Sequence, residues 1–311
     1  MSSTEVINAA AGLLGPLAER SVPIGSRTTY RVGGTAALHT EVVDEEALLR
    51  VAQAVMETGI EVLVVGNGSN LLVADAGFSG LALTMGESFA DVRIDGLSVR
   101  AGGASLLPVV ARRSVAAGLA GFEWAVGVPG SIGGAVRMNA GGHGSDMAAS
   151  LTRVRVVDLR DGEDGVVPVS ALDLGYRSSS IGPSQIVVWA ELGLAEGDQA
   201  TSARTLAEIV AWRRANQPGG ANAGSVFTNP DGDSAGRLIE VAGAKGLRVG
   251  TASVSTKHAN FIQADEGGRA DDIRALMELV IERVRTACGV ELHPETRLVG
   301  FDPDPRSEVE G

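Results

Sequence analysis

The chain has 311 residues and a formal net charge of −12, from 26 Lys plus Arg against 38 Asp plus Glu. That balance argues against a sequence-independent nucleic-acid binder, which needs a basic face to displace phosphate counterions. An apolar fraction of 44% with 21% charged residues argues against disorder. Glycine is the outlier at 42 of 311 residues, 13.5% against an ordinary usage of roughly 7%. No Gly-X-Y period runs through the chain, so the surplus bends backbone at particular places.

The length suggests two domains, or one large and one small. Cys288 is the one cysteine. It excludes an intrachain disulfide and cysteine-based metal or redox motifs, and it fits a reducing cytosol. Residues 1–19 lack a basic n-region and are broken at Gly12, Gly15 and Pro16, so no signal peptide is expected. The longest uncharged apolar stretch, residues 124–136, is interrupted by glycine and proline and is too short to span a bilayer.

In chain order, Asp44 caps a helix running to Thr58, with Leu48, Leu49, Ala52, Val55 and Met56 on its apolar face and Gly59 as its stop. Residues 62–65 read as a buried strand ended by Gly66. Short alternating strands follow at 81–84 and 92–99, then a helix over 106–117 ended by Gly118. Strands continue at 154–159, 166–169 and 186–194. Composition shifts near residues 196–201, which places a domain boundary near residue 200. Residues 205–216 form an amphipathic helix using Leu206, Ile209, Val210 and Arg213, and Asp233 or Ser234 caps another with Leu238, Ile239 and Ala242 inward. Asp271 and Asp272 open the clearest helix, whose Ile273, Leu276, Met277, Val280, Ile281 and Val284 follow a 3,1,3,1,3 spacing up to Gly289. Cys288 at its end belongs to the core, and residues 303–311 form an acidic, frayed tail. The class is α+β.

Four glycine-rich loops precede residue 143: Arg31–Thr35, Gly66-Asn67-Gly68-Ser69-Asn70, Gly127 to Gly134 and Asn139 to Gly142. Consecutive backbone N–H groups in such turns make anion-binding nests. Gly66–Asn70 alone also reads as a plain strand-ending turn, but the four loops together favour a dinucleotide-sized anionic ligand. The chain has no Gly-x-x-x-x-Gly-Lys-Ser/Thr loop, no third glycine after Gly66-x-Gly68 and no Gly-x-Ser-x-Gly elbow. His39, His143, His258 and His293 show no metal-ligand spacing, so no metal is expected.

Read in order, the motifs resemble the MurB (UDP-N-acetylenolpyruvoylglucosamine reductase) family over residues 20–301. The matching segments are TTYRVGG (28–34), VVGNGSNLLV (64–73), GVPGSIGGAVRMNAGG (127–142), YRSS (176–179), AGSVFTNP (223–230), GDSAGRLI (232–239), KHANFI (257–262) and HPETRL (293–298). The resemblance implies a vanillyl-alcohol-oxidase-type FAD-binding fold of two subdomains over 1–200, split near residue 85, a smaller α+β substrate-binding domain over 201–295, and a tail over 296–311. It implies non-covalent FAD, with Gly66, Asn67, Gly68, Ser69, Asn70, Gly127, Gly130, Ser131, Gly133, Gly134, Asn139 and Gly141 around it. NADPH is implied as co-substrate and a UDP-sugar as substrate, in a cytoplasmic monomer. Arg177, Ser225 and Glu295 carry over as catalytic, with Ser225 as proton donor. Tyr176, Arg214, Asn229, Arg237, Lys257 and His258 carry over as substrate-binding.

Read from the residues alone, Arg177 is a surface arginine, Ser225 a turn hydroxyl and Glu295 a solvated loop carboxylate. The chain departs from the family where Asn216 and Thr228 stand in place of basic residues, so Arg214, Arg237 or Lys257 would meet a diphosphate. No tyrosine-bearing insertion follows Arg177, which is the pattern of the family's shorter branch and implies that the substrate is clamped by movement of the smaller domain. The rival readings are a flavin oxidase or dehydrogenase of the same fold and a non-catalytic sugar-nucleotide-binding paralogue.

Overall fold

A computed structural model describes residues 2–302, so the acidic tail at 303–311 lies outside the described residues. Its contacts divide into two units. Residues 21–37, 68–79 and those from Pro218 onward form the smaller; those up to Arg20, with 38–67 and 80–217, form the larger. Helix α5 (Gln199–Asn216), which follows the compositional shift, falls in the larger unit. The reason is packing, since Ile209 is buried in that unit's core with Leu206 against it.

The larger unit begins with helix α1 (Ser3–Leu14), which the sequence reading left unassigned. Ser2 and Glu5 close a reciprocal capping box at its start. Helix α2 (Glu45–Thr58) has the expected ends: Asp44 accepts from the Ala47 N–H, and Gly59 takes φ 65° at the C-terminal stop. Its buried face differs from the expected one. Ala47, Leu48, Val51, Ala52, Ala54 and Val55 are buried, while Leu49 and Met56 are 67% and 46% exposed. The stripe 48, 51, 52, 55 keeps one face, and Leu49 and Met56 flank it on the solvent side.

A four-stranded sheet follows the order Glu19–Val22, Ala36–Val42, Phe78–Met85 and Val62–Val64. A five-stranded antiparallel sheet follows the order Asp164–Pro168, Leu151–Asp158, Gln185–Gly193, Ser98–Gly102 and Val92–Asp95. The region expected as strand 92–99 is thus a hairpin, turning at Gly96, φ 55°. The five-stranded sheet is a middle layer. Val154, Val156 and Val187 join one core with helices α3 (Leu107–Ala116) and α4 (Ile132–Arg137). Val157, Ile186 and Val188 join the other, with α1 and α2. Side chains that alternate along a strand point to opposite faces, so one strand feeds two cores.

The smaller unit is built on α7 (Ala270–Cys288). Ile273, Leu276, Met277, Val280, Ile281 and Val284 are all buried, and Gly289 ends the helix at φ 68°. Cys288 is partly buried against the same core. Helix α6 (Ala235–Val241) is capped by Ser234. A three-stranded sheet (Arg248–Val249, Ala252–Val254, Ile262–Ala264) completes the core. Leu71–Val73 pairs in parallel with Arg297–Val299, which fixes the end of the chain beside the 68–70 turn.

The burial on α2 gives a direct expectation. Leu48→Ala, at a position 1% exposed, should cost about 3 kcal/mol, whereas Leu49→Ala should stay within about 0.5 kcal/mol. Urea unfolding measures both, and equal losses would refute the assignment of faces.

Candidate active site

The larger unit contains a cavity of about 180 Å³, open to solvent. Val64, Val65, Met85, Ile181, Ile186 and Val187 supply apolar wall. Gly66, Asn67, Gly103, Ala104, Ser131, Gly133 and Gly134 supply main chain, and Arg137 is the charged residue of the lining. Its floor is three backbone segments brought closer than side chains allow. The Gly103 N–H donates to Val188 O at 2.8 Å, the Gly133 N–H to Gly103 O at 2.9 Å and the Ile132 N–H to Ser105 O at 2.8 Å. A Cβ at Gly103 would lie 2.0 Å from Val187 O, and one at Gly66 would lie 2.5 Å from Ser131 Oγ. In the smaller unit, Gly68 takes φ +61° and a Cβ there would lie 2.7 Å from Thr28 Cα.

These observations fit a dinucleotide cofactor. Apolar walls with a few convergent polar groups are what such ligands need. Peptide N–H groups supply partial positive charge to a pyrophosphate. The stretch from Gly127 to Gly134, expected as an open loop, is partly regular: residues 123–127 form a 3₁₀ turn and α4 begins at Ile132. The Gly130 carbonyl accepts from the Leu107 N–H at 3.0 Å, just ahead of the lining residue Ser131. Gly127 lies at the end of that turn, where its carbonyl accepts from Arg213.

Asn139 and Gly141 tie down the turn that carries Tyr176 and Arg177. The Asn139 amide, 5% exposed, donates to Gly175 O at 2.8 Å and to Asp146 Oδ2 at 3.3 Å, and it accepts from the Ala148 N–H at 3.0 Å. It thereby anchors Gly175, where the chain turns tightly through Tyr176 and Arg177 to Ser178. Arg177 takes φ 56°, and its guanidinium donates to Gly141 O at 2.9 Å. Tyr176 is 63% exposed, with the Arg177 guanidinium 5.4 Å from its ring centre.

Ser225 and Glu295 lie in the smaller unit, on neighbouring backbone segments. The Glu295 N–H donates to Val226 O at 2.8 Å, Phe227 bridges Pro294, and the Thr228 N–H donates to His293 O at 3.0 Å. Gly224, at φ +79°, turns the chain just before Ser225. The two segments rest on buried polar groups that the sequence reading did not single out. Asn260, 4% exposed, brackets Phe227 from both sides. Tyr30, fully buried, lies against Thr296 and the Ala223 backbone. Burial pushes its phenol well above the usual value, with those two contacts offsetting part of the effect. Asn70, expected against the cofactor, spends its amide on Glu295 O at 3.0 Å, and its own carbonyl accepts from the Arg297 N–H at 3.0 Å. The signal for Asn260 was an asparagine inside the apolar run Ala259–Ile262, since a buried amide must find partners.

Of the residues expected to bind substrate, Asn229, Arg237 and His258 lie about the start of α6, where a Cβ at Gly236 would meet the His258 ring at 3.6 Å. Arg214 is exposed on α5, and Lys257 is also exposed. Arg237 forms a two-pronged pair with Asp233, which holds that carboxyl down at about 2. Asn229 accepts from the Ala235 N–H at the start of α6. Asn216 and Thr228, standing where the family has cations, donate to Trp212 O and His293 O. His258 packs edge-on to Phe261, and its Nδ1 accepts from the Asn260 N–H at 3.3 Å. Burial pulls its imidazole below the usual value, Glu240 opposing and Lys245 adding. Among the described residues no group of three His, Cys, Asp or Glu is disposed to hold a metal ion.

The glycine-floored cavity of the larger unit fits the class of flavin-binding oxidoreductases, to which the family models assign the chain. Residues 36–164 match the FAD binding domain model, and residues 216–299 match the model for the UDP-N-acetylenolpyruvoylglucosamine reductase C-terminal domain. UDP-N-acetylenolpyruvoylglucosamine reductases of Heliobacterium modesticaldum and Rubrobacter xylanophilus are 44% and 40% identical, over 93% and 92% of this chain and 92% and 96% of theirs. The crystal structure of that enzyme from Thermus caldophilus superposes with a TM-score of 0.79 at 37% identity, over 91% of this chain and 98% of the other. The chain belongs to the UDP-N-acetylenolpyruvoylglucosamine reductase family, as its motifs implied, and is an FAD-dependent oxidoreductase.

Two expectations follow from the site. Gly103→Ala should lower the flavin content of the purified protein and its melting temperature, while Gly165→Ala, where a Cβ meets nothing within 4 Å, should leave flavin content unchanged. Equal flavin content in both would remove the steric argument. For His258 the neutral form is favoured by the fold, so its contribution is present above the unfolded pKa of about 6.5 and is lost as pH falls through the lower folded value. An NMR titration should place the His258 imidazole below the unfolded value, and a normal or raised midpoint would contradict the packing.

Proposed function

We propose that the chain reduces the enolpyruvyl ether of UDP-N-acetylglucosamine to UDP-N-acetylmuramate, with NADPH as the electron source, as a cytoplasmic monomer in peptidoglycan precursor synthesis. Family membership supports the substrate class. The observation that carries the mechanism is the pairing of the Ser225 and Glu295 segments through Val226, Phe227 and Thr228.

Gly66, Asn67, Ser131, Gly133 and Gly134 would hold the FAD in the larger unit's cavity, with Gly68, Ser69 and Asn70 continuing the loop. When bound, FAD accepts a hydride from NADPH and supplies it to the methylene carbon of the enolpyruvyl group. Hydride addition there leaves a carbanion at the carbon bearing the carboxylate, an enolate of a carboxylate and hence very basic. A serine hydroxyl, ordinarily too weak an acid, is acidic enough to protonate it. The Ser225 hydroxyl makes no hydrogen bond among the described residues, and Gly224 beside it leaves room for a ligand. Arg177 supplies fixed positive charge for the substrate carboxylate, with its guanidinium oriented by Gly141 O. Glu295 donates a hydrogen bond to the same developing charge only in its protonated form. No helix among the described residues is long and apolar enough to cross a membrane.

The test separates the two half-reactions. Under anaerobic conditions the yellow protein should bleach on adding NADPH and regain its colour on adding the enolpyruvyl sugar nucleotide. Ser225→Ala should keep the first change and lose the second by at least about 100-fold. Undiminished turnover in that variant would sink the assignment.

A further inference from the structure

Ser225 lies on a segment with no regular secondary structure of its own, after a glycine at φ +79°. Something must hold it to the small tolerance that proton transfer needs. The Glu295 strand supplies one side through Val226 O and Phe227. The other side is a single residue. Asn260 Oδ1 accepts from the Phe227 N–H at 3.0 Å, Asn260 Nδ2 donates to Phe227 O at 2.8 Å, and Asn260 O accepts from the Val226 N–H at 2.9 Å. An amide presents one donor and one acceptor side by side, so it completes the hydrogen bonding of Phe227 as a neighbouring strand would. Asn260 is 4% exposed and Phe227 1% exposed, which keeps water from substituting.

We propose that Asn260 is a positioning residue for proton delivery: by bracketing Val226 and Phe227 it holds the Ser225 hydroxyl in register with Glu295. This rests on the reading of Ser225 as proton donor. Neither a serine-for-alanine exchange nor a change at Glu295 reports on it, so its test is separate. The specific feature is that position 260 must donate and accept at once. An ionised carboxylate there accepts from the Phe227 N–H but faces Phe227 O with no proton, whereas a protonated carboxyl supplies both functions in nearly the same shape.

Asn260→Asp therefore has a signature that mere loosening of the fold lacks. The titratable groups around position 260 are His258, whose Nδ1 accepts from the Asn260 N–H, with Glu240 and Lys245 beside that imidazole, and Glu295 on the paired segment. Running the unsubstituted enzyme in parallel at each pH subtracts their contribution. In stopped flow, reoxidation of the reduced enzyme by the enolpyruvyl sugar nucleotide should be slowed on the order of 100-fold at pH 9. It should recover toward the unsubstituted rate as pH is lowered to 6, while reduction by NADPH keeps the unsubstituted rate throughout. Asn260→Ala, with neither donor nor acceptor, should show the slow reoxidation at every pH and no recovery. Its NADPH reduction rate reports that the flavin site is intact, and if this variant does not fold, the pH profile of Asn260→Asp decides alone. A ratio to the unsubstituted enzyme that does not change with pH, or equal slowing of both half-reactions, would overturn the proposal. If Ser225→Ala turns over normally the proton-donor reading fails instead, and a flat Asn260→Asp profile with an inactive Ser225→Ala fails only the positioning role.

Discussion

The constraint behind the larger unit is an approach of main chain to main chain closer than any side chain permits. The carbonyl of Val187 occupies the place of a Cβ on residue 103, at 2.0 Å, and the same glycine links the strand Gln185–Gly193 to the start of α4 by donating to Val188 and accepting from Gly133. A cavity floored this way offers a ligand peptide dipoles rather than side chains. That reconciles two compositional facts, the net charge of −12 and the surplus of glycine. An acidic protein binds an anionic cofactor when the positive charge comes from backbone N–H groups, which need no counter-charge of their own. The cost is conformational entropy in the unfolded chain, spread over positions where no other residue fits.

The smaller unit solves a different problem. Its candidate chemistry lies on irregular segments, and irregular backbone buried from water must have its hydrogen bonds completed by something. Asn260 does so for Phe227, Asn70 for the carbonyl of Glu295, and the parallel pairing of Leu71–Val73 with Arg297–Val299 fixes the strand that follows. Tyr30 fills the space beneath, against both Thr296 and Ala223. The Asn260 and Asn70 amides are matched donor to acceptor, and such matched bonds specify one geometry, which proton transfer requires.

How much of this was legible follows from range. Helix α7 was readable because its period, acidic start and Gly289 are local signals, and the ends of α2 for the same reason. The face of α2 was misjudged because Leu49 and Met56 are apolar without being buried, and hydropathy does not report which of two adjacent apolar residues meets a neighbour. The allegiance of α5 was invisible: a compositional shift marks a change of solvent exposure, not of packing partner. The pairing of residue 71 with residue 297 leaves no trace in either segment. In the site, the motif resemblance pointed to Ser225 and Glu295, whose segments pair, but the hydrogen bonds of Asn70 and Asn139 depend on partners far along the chain, Glu295 for one and Gly175 for the other.

The substrate's diphosphate poses the remaining question of charge. Asn216 and Thr228 have turned their side chains onto nearby carbonyls, so neither position contributes a cation. Arg237 is engaged by Asp233, four residues earlier and just ahead of the α6 cap. An exposed pair at that spacing contributes little, because water screens both charges and two side chains must be held in one geometry. Exchange of the carboxylate for a phosphate oxygen then costs little too, since the guanidinium keeps a bidentate anionic partner. The Asp233 pair leaves Arg237 compatible with the proposed diphosphate contact. Lys257, a point charge on a flexible stem, makes a less directional contact. Replacement of a cation at one position by an arginine elsewhere conserves the charge that a diphosphate needs while changing the direction from which it is met.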